Sequence, residues 1–303
     1  MNTESQVHSF EVGSPAKLIV KNIRGQVELV PGEAGKIKIE VVSHLGDGDP
    51  EYTEVHLEQE KDGTVRAEVR TPQSAFTIFS RKPQRIDFKI ETPVQTDVHA
   101  RVVSGSIQAR GLEGAMDFGT VSGSISLEDL SGRLDLDSVS GKIKGTHLKG
   151  RAYLSVVSGA IEMHECDFPS LKANTVSGKA ELQTKLGEGP YKLDTVSGSL
   201  LLVVPEDSGC VVEASAVSGR FYTDLPVSQS QVGRRKWNVR IGEGGPQVKM
   251  KAVSGKMRLL SSFGAQGSVP GEVKLSQTQR KDVLSRLSEG EITVEDALKE
   301  LAS

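Results

Sequence analysis

The chain has 303 residues with 36% hydrophobic and only 4% aromatic side chains and a formal net charge of −3. With 32 glycines added, the apolar share falls in the globular range, which excludes a disordered chain, and the core must be aliphatic. The negative balance excludes a broad electrostatic attraction to nucleic acid, and two cysteines, Cys166 and Cys210, cannot form a disulfide framework. No apolar run approaches the roughly 18–20 residues of a membrane span, the longest stopping at Pro205. Met1–Ser5 has neither a basic nor an apolar segment, so the expectation is a cytoplasmic protein without a secretory signal.

From the N-terminus, Leu18, Val20, Ile23, Gly25, Val27 and Leu29 set a spacing that recurs downstream, and read as an atypical first coil. Alternating segments follow at Lys36–Val42, Glu54–Leu57, Thr64–Val69 and Ile86–Glu91, separated by turn-rich stretches such as Gly46-Asp47-Gly48-Asp49-Pro50. Residues 1–97 are therefore expected to form a strand-rich cap, which a stack of strands needs to cover its unpaired end.

Residues 98–260 are organised by a repeat. Val-Ser-Gly occurs eight times, at Val103, Val121, Val139, Val157, Val176, Val196, Val217 and Val253, at intervals of 18, 18, 18, 19, 20, 21 and 36 residues. Four residues after each Val stands Ile107, Ile125, Ile143, Ile161, Ala180, Leu200, Phe221 or Met257, and six after most of them another apolar residue. Apolar pairs such as Met116/Phe118 and Leu134/Leu136 stand five and three residues before it. Both patterns have the period of a strand with one buried face, but they are out of phase by one, which places a bulge or corner just before the Val-Ser-Gly, with the Val itself on the buried face. Two short strands and a corner in 18–21 residues leave no room for a helix or a four-stranded propeller blade. The expected fold is mainly β: a single-stranded parallel β-solenoid in which each coil pairs with its neighbours, the identical residues forming vertical columns of Val, Ile and Ser. In the double-length interval Trp237, Val239 and Ile241 alternate before Gly242-Glu243-Gly244-Gly245-Pro246, which reads as a protruding hairpin before the last coil.

After Leu260 the composition changes. Residues 261–275 read as a flexible linker. Ser276 and Gln279 make a capping box, and Val283, Leu284 and Leu287 give a first helix an apolar face. Thr293 caps a second helix whose stripe is Val294, Ala297, Leu298 and Leu301. Residues 276–303 thus form a small α-hairpin too short for its own core, which must dock on its own solenoid, another copy or a partner.

The Val-Ser-Gly-x-Ile-x-Leu units, Asn22-Ile23-Arg24-Gly25-Gln26-Val27-Glu28-Leu29 and Lys249-Met250-Lys251-Ala252-Val253-Ser254-Gly255 together resemble a bacterial β-strand-repeat family of unknown function often labelled "putative adhesin", over roughly residues 15–262. The stretch Val283–Leu298 is similar to the short SHOCT-type helical hairpins attached to many bacterial proteins. The first resemblance implies the fold and assigns no catalytic residue. The second implies an oligomerisation or docking role, and some relatives carrying both parts are associated with cell-envelope stress responses.

No stretch carries a catalytic or cofactor signature. His164-Glu165-Cys166-Asp167 bunches four ligand types, but adjacent residues rarely converge on one ion and no second pair stands at zinc spacing. Gly242–Gly245 precedes strand-like residues rather than a helix N-terminus, so it is no phosphate cradle. Arg81-Lys82 and Arg234-Arg235-Lys236 read as solvated loop charge. The Ser column reads as corner chemistry, with a regular hydroxyl array for a glycan or ice as the sharper alternative. The cysteines stand at different offsets and should be free buried thiols. The expectation is a non-catalytic scaffold without metal or cofactor, associating with itself or a protein partner through Val283, Leu284, Leu287, Val294, Leu298 and Leu301. Alternatives are a regulator of an envelope stress response with a membrane-linked partner, and a glycan-binding or carbohydrate-active protein using Trp237.

Overall fold

The computed structural model describes residues 3–72 and 82–262. The expected linker from residue 263 onward and the hairpin at 276–303 lie outside them. Sixteen strands follow in chain order: β1 (Thr3–Glu11), β2 (Ala16–Pro31), β3 (Lys36–His44), β4 (Glu54–Gln59), β5 (Val65–Arg70), β6 (Ile86–Thr92), β7 (Thr96–Arg110), β8 (Glu113–Glu128), β9 (Ser131–Thr146), β10 (Lys149–Phe168), β11 (Leu171–Leu186), β12 (Tyr191–Val204), β13 (Cys210–Thr223), β14 (Val227–Val232), β15 (Lys236–Ile241) and β16 (Gln247–Ser261). The four alternating segments of the N-terminal cap are β3 to β6. β1 is exposed along nearly its whole length and has no alternating apolar face, so periodicity gives no sign of it.

The long strands are the rungs of a parallel β-solenoid. β2, β7, β8, β9, β10, β11 and β12 stack in sequence order, each hydrogen-bonded in parallel to the next. The repeat sets the register: Ser104 pairs with Ser122, Gly105 with Gly123 and Ile107 with Ile125, and the same columns continue rung by rung. Ile23 stands opposite Val103, because Asn22 pairs with Val102 and Arg24 with Ser104.

The corner differs from the sequence reading in one respect. In β8 the buried side chains are Met116, Phe118, Thr120, Ile125 and Leu127, while Val121 is 49% exposed. The residue before each Val faces inward, the Val and Ser face outward, and the phase slips within Val-Ser-Gly rather than before it. The ladder accordingly steps from Val102↔Thr120 to Ser104↔Ser122 and passes over the valines. The glycine makes this possible: a methyl group on Gly123 would overlap the carbonyl oxygen of Gly105 in the rung below, and Gly141 stands in the same way against Gly123. β7, β8 and β9 each close through a turn whose buried residue (Leu112, Leu130 or Leu148) adds an inner column, which Cys166 continues from the register shift within β10; all four are at most 3% exposed.

Both ends of the stack invert the chain order. β16 does not follow β13 but inserts between β12 and β13, in register with both (Gly198↔Gly255, Gly219↔Gly255). The hairpin of β14 and β15 therefore does not protrude before a terminal coil. β15 lies in the sheet, antiparallel to the first leg of β13, and covers its edge. At the other end β5 pairs with the first leg of β2 and β6 with its second, together making an outer rung. β4 covers β5, and β3 followed by β1 covers β6, all antiparallel. Each end of the parallel stack thus carries antiparallel strands along its edge.

Candidate functional site: the valine-lined corner

The inner columns hold the fold, so what the molecule presents to a partner is its outer surface. Its most regular feature is the corner. Val103, Val121, Val139, Val157, Val176, Val196, Val253 and Val217 follow one another in space, each 45–59% exposed. At the strand spacing of about 4.8 Å the column is on the order of 34 Å long. The adjacent serines, from Ser104 to Ser254, are exposed beside it. A β-branched residue suits an extended backbone, and neighbouring valines shield one another's flanks, which accounts for part of the preference. It does not require an apolar residue on every rung.

Along the C-terminal half of the column the corner deepens into a groove of about 600 Å³ lined by Val157, Val176, Val196, Val253 and Val217. Its charged lining is Arg235, Lys236, Lys251 and Asp194, three positive groups to one negative. Lys251 stands in β16, whereas Arg235 and Lys236 come from the end of the turn between β14 and β15 and the first residue of β15, a segment pinned in place: the Ala216 N–H donates to the Arg235 carbonyl (3.1 Å) and the Gly233 N–H to the Lys236 carbonyl (2.8 Å). The Arg234-Arg235-Lys236 cluster, expected as solvated loop charge, therefore contributes two of its three residues to the groove lining. Thr175 and Thr195, inward at the same corner, carry buried hydroxyls without a hydrogen-bond partner.

The leg before the corner carries an ion-pair ladder. Asp117 receives Arg101 at 2.6 Å and His99 at 2.8 Å, and Arg101 reaches Asp137 at 3.8 Å. Gly119 leaves the space, since a Cβ there would stand 2.8 Å from the Arg101 side chain. Burial pushes the Asp137 carboxyl up; Arg101 partly counters this, and Asp135 and Asp117 add to it. A second cluster sits in the outer N-terminal rung, where Glu68 takes Arg66 at 2.8 Å, Arg70 at 2.7 Å and Lys21 at 3.0 Å.

Of the residues singled out from sequence, Trp237 lies in β15, half-buried against the margin of the core, its ring 6.5 Å from that of Phe221. Val283, Leu284, Leu287, Val294, Leu298 and Leu301 lie outside the described residues. His164 and Glu165 face outward while Cys166 turns in, and among the described residues no group of three or more His, Cys, Asp or Glu could hold a metal. Gly46–Asp49 is a turn tied down by Arg24 and Lys82 on Asp47. Cys166 and Cys210 are free and buried, and burial pushes both thiols up to about 11. Among the described residues no helix is long and apolar enough to cross a membrane. The groove itself escapes a sequence reading that places the valines inside.

Comparison with known proteins gives the fold a family. No curated protein matches. Among solved structures, a "putative adhesin" from Parabacteroides merdae is similar at 11% identity and a TM-score of 0.45, over 85% of this chain and 96% of that one. A "putative cell adhesion protein" from Clostridium sporogenes is similar at 13% identity and a TM-score of 0.33, over 86% of this chain and 100% of that one. A "Putative lipid binding protein" from Parabacteroides distasonis is similar at 12% identity and a TM-score of 0.38, over 84% and 96%. A family model described as Toastrack DUF4097 matches residues 16–260, from the first rung to the last, and the chain belongs to that family.

Proposed function

We propose that the protein is a non-catalytic β-solenoid scaffold that engages a partner protein along its valine-lined corner, with residues 276–303 as a tethered docking element. The observation that carries this reading is the unbroken column of eight exposed valines, which leads into a groove with a basic lining. An apolar strip rimmed by charge is the usual chemistry of a protein-binding surface, and the excess of Arg235, Lys236 and Lys251 over Asp194 favours a partner segment with an acidic flank. The non-catalytic part of the reading is supported by how the rungs are built. From β7 to β12 the turns that join one rung to the next are of two to four residues, which leaves no long loop along that part of the stack from which a reaction site could be assembled.

The experiment compares affinity capture from the source organism's lysate by the wild-type chain and by Val176→Asp/Val196→Asp. Both positions face outward, so the variant keeps its fold. The expected result is a discrete protein retained by the wild type and lost from the variant. Identical eluates from the two would contradict the proposal.

A further inference from the structure

A second apolar cluster lies on a different face. Past the corner, side chains alternate in and out of the stack, and the outward position five residues after each Val is polar on five successive rungs: Gln108, Ser126, Lys144, Glu162 and Glu181. The pattern breaks in β12 and β13, with Arg258 of β16 between them. The same position in β12 is Leu201, and two residues on stands Val203, paired with Leu260 of β16. Leu201, Val203 and Leu260 form an apolar cluster of their own, separate from the core and joined by Tyr222 of β13, and they are 6%, 3% and 8% exposed although they point away from the interior. Among the described residues Tyr222 is the one partly buried hydrophobic side chain that packs against this cluster. Arg258, between Leu201 and Tyr222 in the register, has a buried Nε without a hydrogen-bond partner.

The chain leaves the solenoid at this patch. Ser262 is the last described residue, and its N–H donates to the carbonyl of Val204 (2.8 Å), next to Val203. Beyond it the sequence supplies a linker of 13 residues and then the segment 276–303 with its two apolar stripes. Thirteen residues reach up to roughly 45 Å, ample for a return to the departure point. The segment has six acidic and four basic side chains, a net negative charge suited to Arg258. A tether this short holds the segment at an effective concentration in the millimolar range, above that of a second copy in ordinary solution.

We infer that residues 276–303 dock on the Leu201–Val203–Leu260 patch of their own chain, which gives the C-terminal part of the solenoid a second layer. This rests on reading the segment as a docking element and is independent of the valine corner, so failure of the capture experiment leaves it standing. The test uses the purified full-length chain. Tryptic cleavage at Arg286 is timed in the wild type, in Val203→Asp/Leu260→Asp and in Leu298→Asp, with mass by light scattering across protein concentrations. The expected result is slow cleavage at Arg286 in a wild-type monomer and about tenfold faster cleavage in each variant, with cutting within residues 82–262 unchanged, because protease access follows the open population. Combining the substitutions should add nothing further. Should the double variant fail to fold, Leu298→Asp decides, because it lies outside the solenoid. Wild-type cleavage as fast as in the variants overturns the inference, as does protection that appears only with a dimeric mass, which would assign the patch to a second copy's segment.

Discussion

Glu68 shows how single side chains stabilise a rung that has no parallel neighbour on one side. Burial pushes its carboxyl up, but hydrogen bonds from Arg66, Arg70 and Lys21 together outweigh it and hold it at about 2, against an ordinary value of 4.5. A carboxylate lowered in the folded state contributes stability above its unfolded value and loses it as pH falls toward the folded one. Thermal stability should therefore fall between about pH 4.5 and pH 2, and the slope across that window should be shallower in Glu68→Gln, measured by calorimetry in a pH series. Equal slopes would remove Glu68 from the account. The residue scale is also where the sequence misleads. The inward position before each Val holds Thr120, Ser138, Thr175, Thr195, Ala216 and Ala252 on six of the eight rungs, so apolarity alone favours placing the Val inside. What reverses the choice is the backbone: the following glycine must pass against the rung below, and that turns Val and Ser out.

At the scale of the element, the insertion of β16 between β12 and β13 decides how the C-terminal end holds together. Placed second from the end, the last strand is hydrogen-bonded along both edges and joins two rungs that would otherwise not touch. A chain ending at residue 246 should therefore lose native structure in β12 and β13 as well, seen as fast amide exchange across residues 191–223, whereas a chain ending at residue 262 should keep its protection there. Protection in the shorter chain equal to that in the longer one would show that the insertion is dispensable. Periodicity reveals that 247–261 is a rung, because its Val253, Met257 and Leu259 repeat the pattern, yet it carries no information on order. Every rung offers the same columns to both neighbours, so β12 accepts β13 or β16 equally well by pattern. The in-plane placement of β14 and β15 is hidden for the same reason: their short alternation serves a protruding hairpin and an edge cover alike. The patch at Leu201, Val203 and Leu260 was visible in principle as apolar residues at positions that are polar in earlier rungs, but only once the inward phase is known.

Across the whole molecule each rung is divided between two tasks. Side chains at the inner columns stabilise the stack, and the corner valines, left outside by the glycine, form the exposed column that we propose engages a partner. The solenoid, its period and its register were legible because one tripeptide occurs eight times at mostly 18–21-residue intervals, whereas the division between inside and outside at the corner was not, since it depends on a backbone approach between rungs that no single rung reveals. The most direct test substitutes both kinds of residue in one rung and measures unfolding by denaturant. Ile161, fully buried in β10, and Val157, 45% exposed at the corner of the same strand, are the pair. Ile161→Ala should cost about 2–5 kcal/mol, and Val157→Asp less than about 1 kcal/mol. A Val157→Asp loss equal to or greater than that of Ile161→Ala would place the valine column in the core and contradict the account.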